Sequence, residues 1–131
     1  QFEAVGHDFP LPGEKVPRDR LLAAAEELRA RNKAPVFVTL GAEGMIVSDP
    51  WTRVPGVRVE EPTDPTGAGD SASAGTALAL CSGATPAEAA VVGNLVASIT
   101  VQQLGTTGVA RPDQLPERLA LWQRQREEDH P

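Results

Sequence analysis

Thr63-Asp64-Pro65-Thr66-Gly67-Ala68-Gly69-Asp70 leads straight into residues 71–82, a run of small residues with good helical propensity that Gly83 is placed to stop. A glycine loop at a helix start is an anion site by geometry. Glycine lets the backbone turn its N–H groups inward, and the first helical turn leaves its own N–H groups unpaired at the positive end of the dipole. Asp70 stands at the junction, where a carboxylate either caps the helix or does chemistry on what the loop holds. Gly67-Ala68-Gly69-Asp70-Ser71-Ala72 also fits the dinucleotide pattern G-x-G-x-x-G/A. That reading requires a strand soon after the helix, with an acid about 20 residues on to hold a ribose. The acid near that distance, Glu88, belongs to a helix-capping box, so the match is weak.

Upstream of the loop, Val36-Phe37-Val38-Thr39-Leu40 is apolar and rich in β-branched residues, which predicts an interior strand buried on both faces. A turn at Gly41-Ala42-Glu43-Gly44 and a second strand at Met45-Ile46-Val47 follow. After a turn region at residues 50–56, Val57-Arg58-Val59-Glu60 alternates as a half-buried third strand would. Tight connections between these strands predict an antiparallel edge joined to a buried sheet. Before them, Leu21, Leu22, Ala25 and Leu28 recur at helical spacing in a helix that opens at Pro17 and ends near Asn32. Residues 1–16, with Pro10-Leu11-Pro12-Gly13, read as a connector or the remnant of a preceding element.

Downstream, Thr85-Pro86-Ala87-Glu88 forms a capping box with Pro at the first helical position. The helix it starts carries Val92, Leu95, Val96 and Ile99 to about Gln103 and ends at Gly105. Asn94 in its middle is unfavourable by propensity, which hints at a function. A last helix begins at Asp113 or near Pro116, packs Leu115, Leu119 and Trp122 as core, and frays over residues 124–129. Cys81 reads as a buried small hydrophobe, and Trp51 as a surface or lid contact. Strands alternating with helices make the class α/β.

Composition narrows the function. With 12 Lys+Arg against 18 Asp+Glu the net charge is -6, which argues against a nucleic-acid or anionic-membrane partner because phosphate contacts need clustered cations. No apolar run reaches the roughly 18 residues of a membrane span. The single Cys81 supports no disulfide framework and favours a reducing, cytoplasmic setting. His7 and His130 lie at opposite ends, so a Cys/His metal site is not expected, and Ser71 and Ser73 have no histidine to make them hydrolase nucleophiles. The first residue is Gln1, so the chain reads as a piece of a longer protein.

The order of four segments, Val36 to Gly44 (VFVTLGAEG), Asp64 to Asp70 (DPTGAGD), Asn94 to Ser98 (NLVAS) and Leu104 to Gly108 (LGTTG), resembles the C-terminal, nucleotide-binding half of the ribokinase-like, PfkB-type carbohydrate kinases. The resemblance implies a three-layer α/β/α partial domain with a mostly parallel sheet, spanning residues 17–128 with a short tail at 129–131. It implies ATP-dependent phosphoryl transfer to a sugar or sugar-like hydroxyl. Asp70 would then be the catalytic base, and the N–H groups of Gly67, Ala68 and Gly69 the anion hole for the transferred group. Thr39, Gly41 and Gly44 become nucleotide contacts, and Asn94 a position near the adenine. Mg²⁺ would accompany the ATP. A monovalent-cation site, K⁺ in the family, would fall on Asp64 and Thr66 with carbonyls from around Thr100, Gln103 and Gly105.

Three departures from the family pattern stand out. Ser73 replaces a residue that is often bulky, and Val109 falls where some members offer a hydroxyl to the cation. The sugar contacts and lid belong to an N-terminal half whose sequence is not in this chain. Between Arg58 and Arg111 there is no Lys or Arg, so a triphosphate here relies on backbone N–H groups, the helix dipole and Mg²⁺. The expected partners are ATP, the sugar and the missing half, with a homodimer left open. The competing class is a domain that keeps this fold for nucleotide binding or assembly without catalysis.

Overall fold

The computed structural model describes residues 18–105 and 108–129. The expected connector at 1–16, the helix start at Pro17, both histidines and the last two residues of the tail lie outside them. In chain order the elements are α1 (Arg18–Asn32), β1 (Phe37–Thr39), β2 (Met45–Val47), β3 (Thr52–Val54), α2 (Ala68–Cys81), α3 (Pro86–Thr100) and α4 (Leu115–Asp129), with 3₁₀ turns at Gly41–Glu43 and Pro112–Gln114.

The strands form a sheet of order β1-β2-β3, antiparallel throughout, with Val38 opposite Ile46 and Ile46 opposite Arg53. Side chains alternate across it and feed two cores. Met45, Val47 and Val54 pack with Ala72 of α2 and Ala90 of α3, joined by Phe37 and Trp122. Val36, Val38 and Ile46 pack on the other face against Ala25 of α1, flanked by Leu21, Leu22, Leu28 and Trp51. Helices therefore cover both faces, the layering expected of an α/β/α domain.

Two expectations about the sheet change. The described strands pair antiparallel, as their tight connections predict, whereas the resemblance implies a mostly parallel sheet; and β2, buried at all three positions, is the middle strand in place of residues 36–40. Short connections are the reason: a parallel pair needs a crossover of a dozen or more residues, and the loops here permit only a meander. Thr39 is correspondingly exposed. The third strand is Thr52–Val54, not residues 57–60. Those residues find no strand partner, and Arg58 instead exchanges both backbone hydrogen bonds with the side-chain amide of Gln125 on α4, at 2.9 and 2.8 Å.

Helix α2 starts at Ala68 with Gly67 as its left-handed cap, and Gly83 (φ +97°) follows its end. Helix α3 is opened by the Thr85–Glu88 box, with both reciprocal hydrogen bonds formed. It stops at Thr100, a turn earlier than expected. Helix α4 does not fray at 124–129: Arg58 pairs with Asp129 at 3.0 Å and approaches Glu128 at 3.7 Å. Cys81 is exposed, not buried, because α2 meets α3 through Ala72, Gly75 and Thr76 on its opposite side. Trp51 packs on the α1 core rather than acting as a free surface group.

Candidate active site

A cleft of about 420 Å³ opens between the β1–β2 turn, the start of α2 and the inner face of α3. Thr39, Gly41 and Gly44 line it from one side, Ala68 and Gly69 from another, and Asn94 from α3. These six residues, far apart in sequence and named from it as nucleotide or phosphoryl contacts, thus share one cavity, whereas Gly67 and Asp70 are not among its lining residues.

The glycine turn divides into a structural and an open position. Gly44 is buried at φ +101°, and a Cβ there would overlap the Val54 carbonyl, so glycine is required by the close backbone approach. Gly41 has φ +63° with no atom within 4 Å of a Cβ built on it. Its glycine answers to the left-handed backbone alone, and its surface faces the cleft.

At the start of α2, Gly67 (φ +74°) is the cap, Ala68 and Gly69 follow, and Asp70 is third in the helix. The Ala68 N–H is engaged with the Pro65 carbonyl at 3.0 Å, so it is not a free donor of the anion hole. The N–H groups of Gly67, Gly69 and Asp70 make no hydrogen bond to another described residue. Three unpaired donors therefore lie together at a helix N-terminus. Gly69 lacks a positive φ, and a Cβ on it would meet nothing within 4 Å. Neither conformation nor packing within the chain demands glycine there. The Asp70 carboxylate is exposed and no side-chain hydrogen bond caps this helix, so the simple capping role does not describe it.

Asn94 is 6% exposed, and its amide donates to the Val54 and Pro55 carbonyls at 3.0 and 3.1 Å. It braces the cleft wall from behind while bordering the cavity. Asp64 and Thr66 precede Gly67 in the turn that enters α2. One Asp64 oxygen accepts from Thr66 N–H and Oγ1 at 2.9 and 2.6 Å, the other from Gly105 N–H at 2.8 Å. The Thr66 hydroxyl, then the Thr66 and Gly105 N–H groups, hold this carboxyl below the usual carboxylate range. Thr100 is buried with its carbonyl accepting from Gln103 N–H, and the Gln103 side chain clamps both backbone groups of Val109. Asp64, Thr66 and Gly105 are thus drawn together. Among the described residues no cluster of three acidic, His or Cys side chains forms a metal site.

Sequence reasoning missed the wall formed by residues 56–59, including Arg58, whose guanidinium is paired with Asp129 and Glu128 of α4. Its signal was Arg58 itself, the last basic residue before the long stretch without Lys or Arg, but the alternation there read as a strand. The dinucleotide alternative fails on topology: α2 is followed by α3 with no strand between, and Glu88 closes the capping box of α3.

Residues 9–113 match the pfkB family of carbohydrate kinases, and the chain belongs to that family. The bifunctional protein HldE of Azotobacter vinelandii is 36% identical over 116 residues, covering 86% of this chain and 23% of that protein. Among solved structures, ribokinase from Thermotoga maritima is similar with a TM-score of 0.68 and 29% identity, over 75% of this chain and 34% of that one. Phosphofructokinase-2 from Escherichia coli in complex with potassium gives a TM-score of 0.71 and 26% identity, over 85% and 36%. The chain spans about a quarter to a third of these proteins. Among the described residues no helix is long and apolar enough to cross a membrane.

Proposed function

We propose that this chain supplies the nucleotide cleft, anion hole and catalytic base for ATP-dependent phosphoryl transfer to a hydroxyl of a sugar or sugar-like substrate. The observation that carries the reading is Gly69. It sits in the first turn of α2, where neither a positive φ nor a neighbouring atom requires glycine, with open space around it and N–H groups that have no described partner beside it. Membership of a carbohydrate-kinase family supports the same conclusion.

In this reading the Asp70 carboxylate accepts the proton of the attacking hydroxyl. The new O–P bond forms as the bond to the leaving diphosphate oxygen breaks, and the N–H groups of Gly67, Gly69 and Asp70 stabilise charge on the transferred group. The N–H of Ala68 serves the turn. Thr39 and Gly41 border the nucleotide, and Gly44 and Asn94 fix the walls around it. Mg²⁺ fits as a companion of the nucleotide phosphates rather than as an ion in a protein cage, since the described residues gather no acidic triad. For a monovalent cation, Asp64, Thr66 and the carbonyls near Thr100, Gln103 and Gly105 offer a hard, all-oxygen donor set, which suits K⁺ chemistry. Such an ion would supply fixed positive charge near the anion turn.

The sugar contacts belong to the remainder of the kinase, so the chain alone is expected to bind ATP·Mg²⁺ weakly and turn over little or not at all. Calorimetry on the chain and a coupled ADP assay on the full-length protein against a panel of sugars test this. Absence of any sugar-dependent ADP release by the full-length protein would favour a non-catalytic role.

A further inference from the structure

The cleft wall at residues 55–58 belongs to no strand, so no ladder fixes its position. One face of α4 holds it, together with Asn94 at the Pro55 carbonyl and the Glu43 carbonyl at Gly56 N–H. Trp122 Nε1 donates to the Pro55 carbonyl at 2.8 Å. One turn on, the Gln125 amide accepts from Arg58 N–H at 2.9 Å and donates to Arg58 C=O at 2.8 Å. A further turn on, Asp129 pairs with the Arg58 guanidinium at 3.0 Å. Positions 122, 125 and 129 share a helix face, and each contact lands on the same short wall. Gly56, Val57 and Arg58 line the cleft, whereas Trp122 and Gln125 do not.

We propose that this stripe of α4 is a positioning strut that sets nucleotide affinity through Pro55 and Arg58 without touching the nucleotide. The inference rests on the nucleotide-cleft reading above. Gln125 is its central element, because one side chain satisfies both backbone groups of a residue that has no strand neighbour to do so. Without it the wall stays tethered at Pro55 and Gly56 and anchored by buried Val57 but can drift at Arg58, and a cleft that must be ordered on binding binds more weakly. The chemistry at Asp70 lies on a different element and keeps its geometry.

The test is Gln125→Ala in the full-length kinase, with hydrogen exchange and steady-state kinetics read together. The Arg58 amide is expected to exchange at least about tenfold faster. The KM for ATP should rise roughly 3- to 10-fold, what losing one or two hydrogen bonds is worth, with kcat and the sugar KM within about twofold. Gln125→Glu keeps an acceptor for Arg58 N–H but loses the donor to its carbonyl, and should fall between. Trp122→Phe keeps the packing, loses the bond to Pro55 and should shift the ATP KM in the same direction. If Arg58 exchanges faster while the ATP KM is unchanged, the strut role is wrong and the cleft reading stands. If ATP·Mg²⁺ neither saturates the wild-type rate nor protects residues 56–59 from exchange, the cleft reading itself fails and the strut falls with it.

Discussion

Asp64 and Gly105, 41 positions apart, are joined by a single hydrogen bond in which the Gly105 N–H donates to Asp64 Oδ2 at 2.8 Å. The Asp64 N–H in turn donates to the Val101 carbonyl at 2.6 Å. The loop that enters α2 and the loop that leaves α3 are therefore tied to each other. The glycine turn is positioned by α3 as well as by its own glycines.

Replacing Asp64 by Asn should expose this coupling through pH. The folded-state pKa of Asp64 lies below its ordinary 3.8. Its contribution to stability is thus present above that value and is lost as pH falls through the lower, folded value. Asn offers one acceptor oxygen in place of two, so either Thr66 or Gly105 loses its partner. Thermal melts should show Asp64→Asn less stable than wild type at neutral pH, with the gap closing below about pH 4. A gap that stays constant across that range would mean the carboxylate charge is irrelevant.

Asp70→Asn should separate chemistry from folding. The carboxylate is exposed on the first turn of α2 and makes no capping bond, so only its helix-dipole interaction is at stake, a loss under about 1 kcal/mol. Removal of a general base costs roughly 10²–10⁴-fold in kcat. In the full-length kinase, denaturant melts should be nearly superimposable while turnover collapses and ATP affinity holds. Retained kcat would leave the non-catalytic reading as the better one.

Asn94 should behave as a brace. Asn94→Leu keeps the branched shape with bulkier methyl groups but removes two hydrogen bonds from a side chain 6% exposed, a cost of roughly 1–3 kcal/mol from the hydrogen bonds alone. Asn94→Asp should cost more at neutral pH, since a buried carboxylate would face the Val54 and Pro55 carbonyls. Chemical denaturation reads both. Unchanged stability with a large rise in ATP KM would make Asn94 a ligand contact instead.

Local signals were legible where a residue's own chemistry decides the outcome. Thr85 and Glu88 build their box from a four-residue pattern, and Gly67 and Gly83 bound α2 by backbone freedom. Sequence and structure part company where a distant partner decides. Residues 57–60 alternate like a strand, yet Gln125, far along the chain, supplies the hydrogen bonds of Arg58. Residues 124–129 look solvated, yet Arg58 holds their end. Cys81 sits in an apolar helix whose packed face is chosen by α3. The cleft was legible in its glycines and Asn94. Its wall at 56–59 was not, because nothing local distinguishes an extended segment pinned by a helix from a strand.

Gly69→Ala gives the most discriminating prediction because its two effects have opposite sign. Glycine inside a helix loses more conformational entropy on folding than alanine does, and here φ is not positive and the space around a Cβ is empty. The substitution should therefore stabilise the fold by about 0.5–1 kcal/mol, seen as a higher denaturation midpoint. In the proposed anion hole, the same methyl group would crowd a phosphoryl group bound at the N–H groups of Gly67, Gly69 and Asp70. The full-length kinase should consequently lose both ATP affinity and kcat while gaining stability. A residue kept glycine for folding would lose stability on substitution, and a neutral surface residue would lose neither property. If Gly69→Ala is more stable and fully active, no anion approaches this turn and the phosphoryl-transfer reading of α2 is wrong.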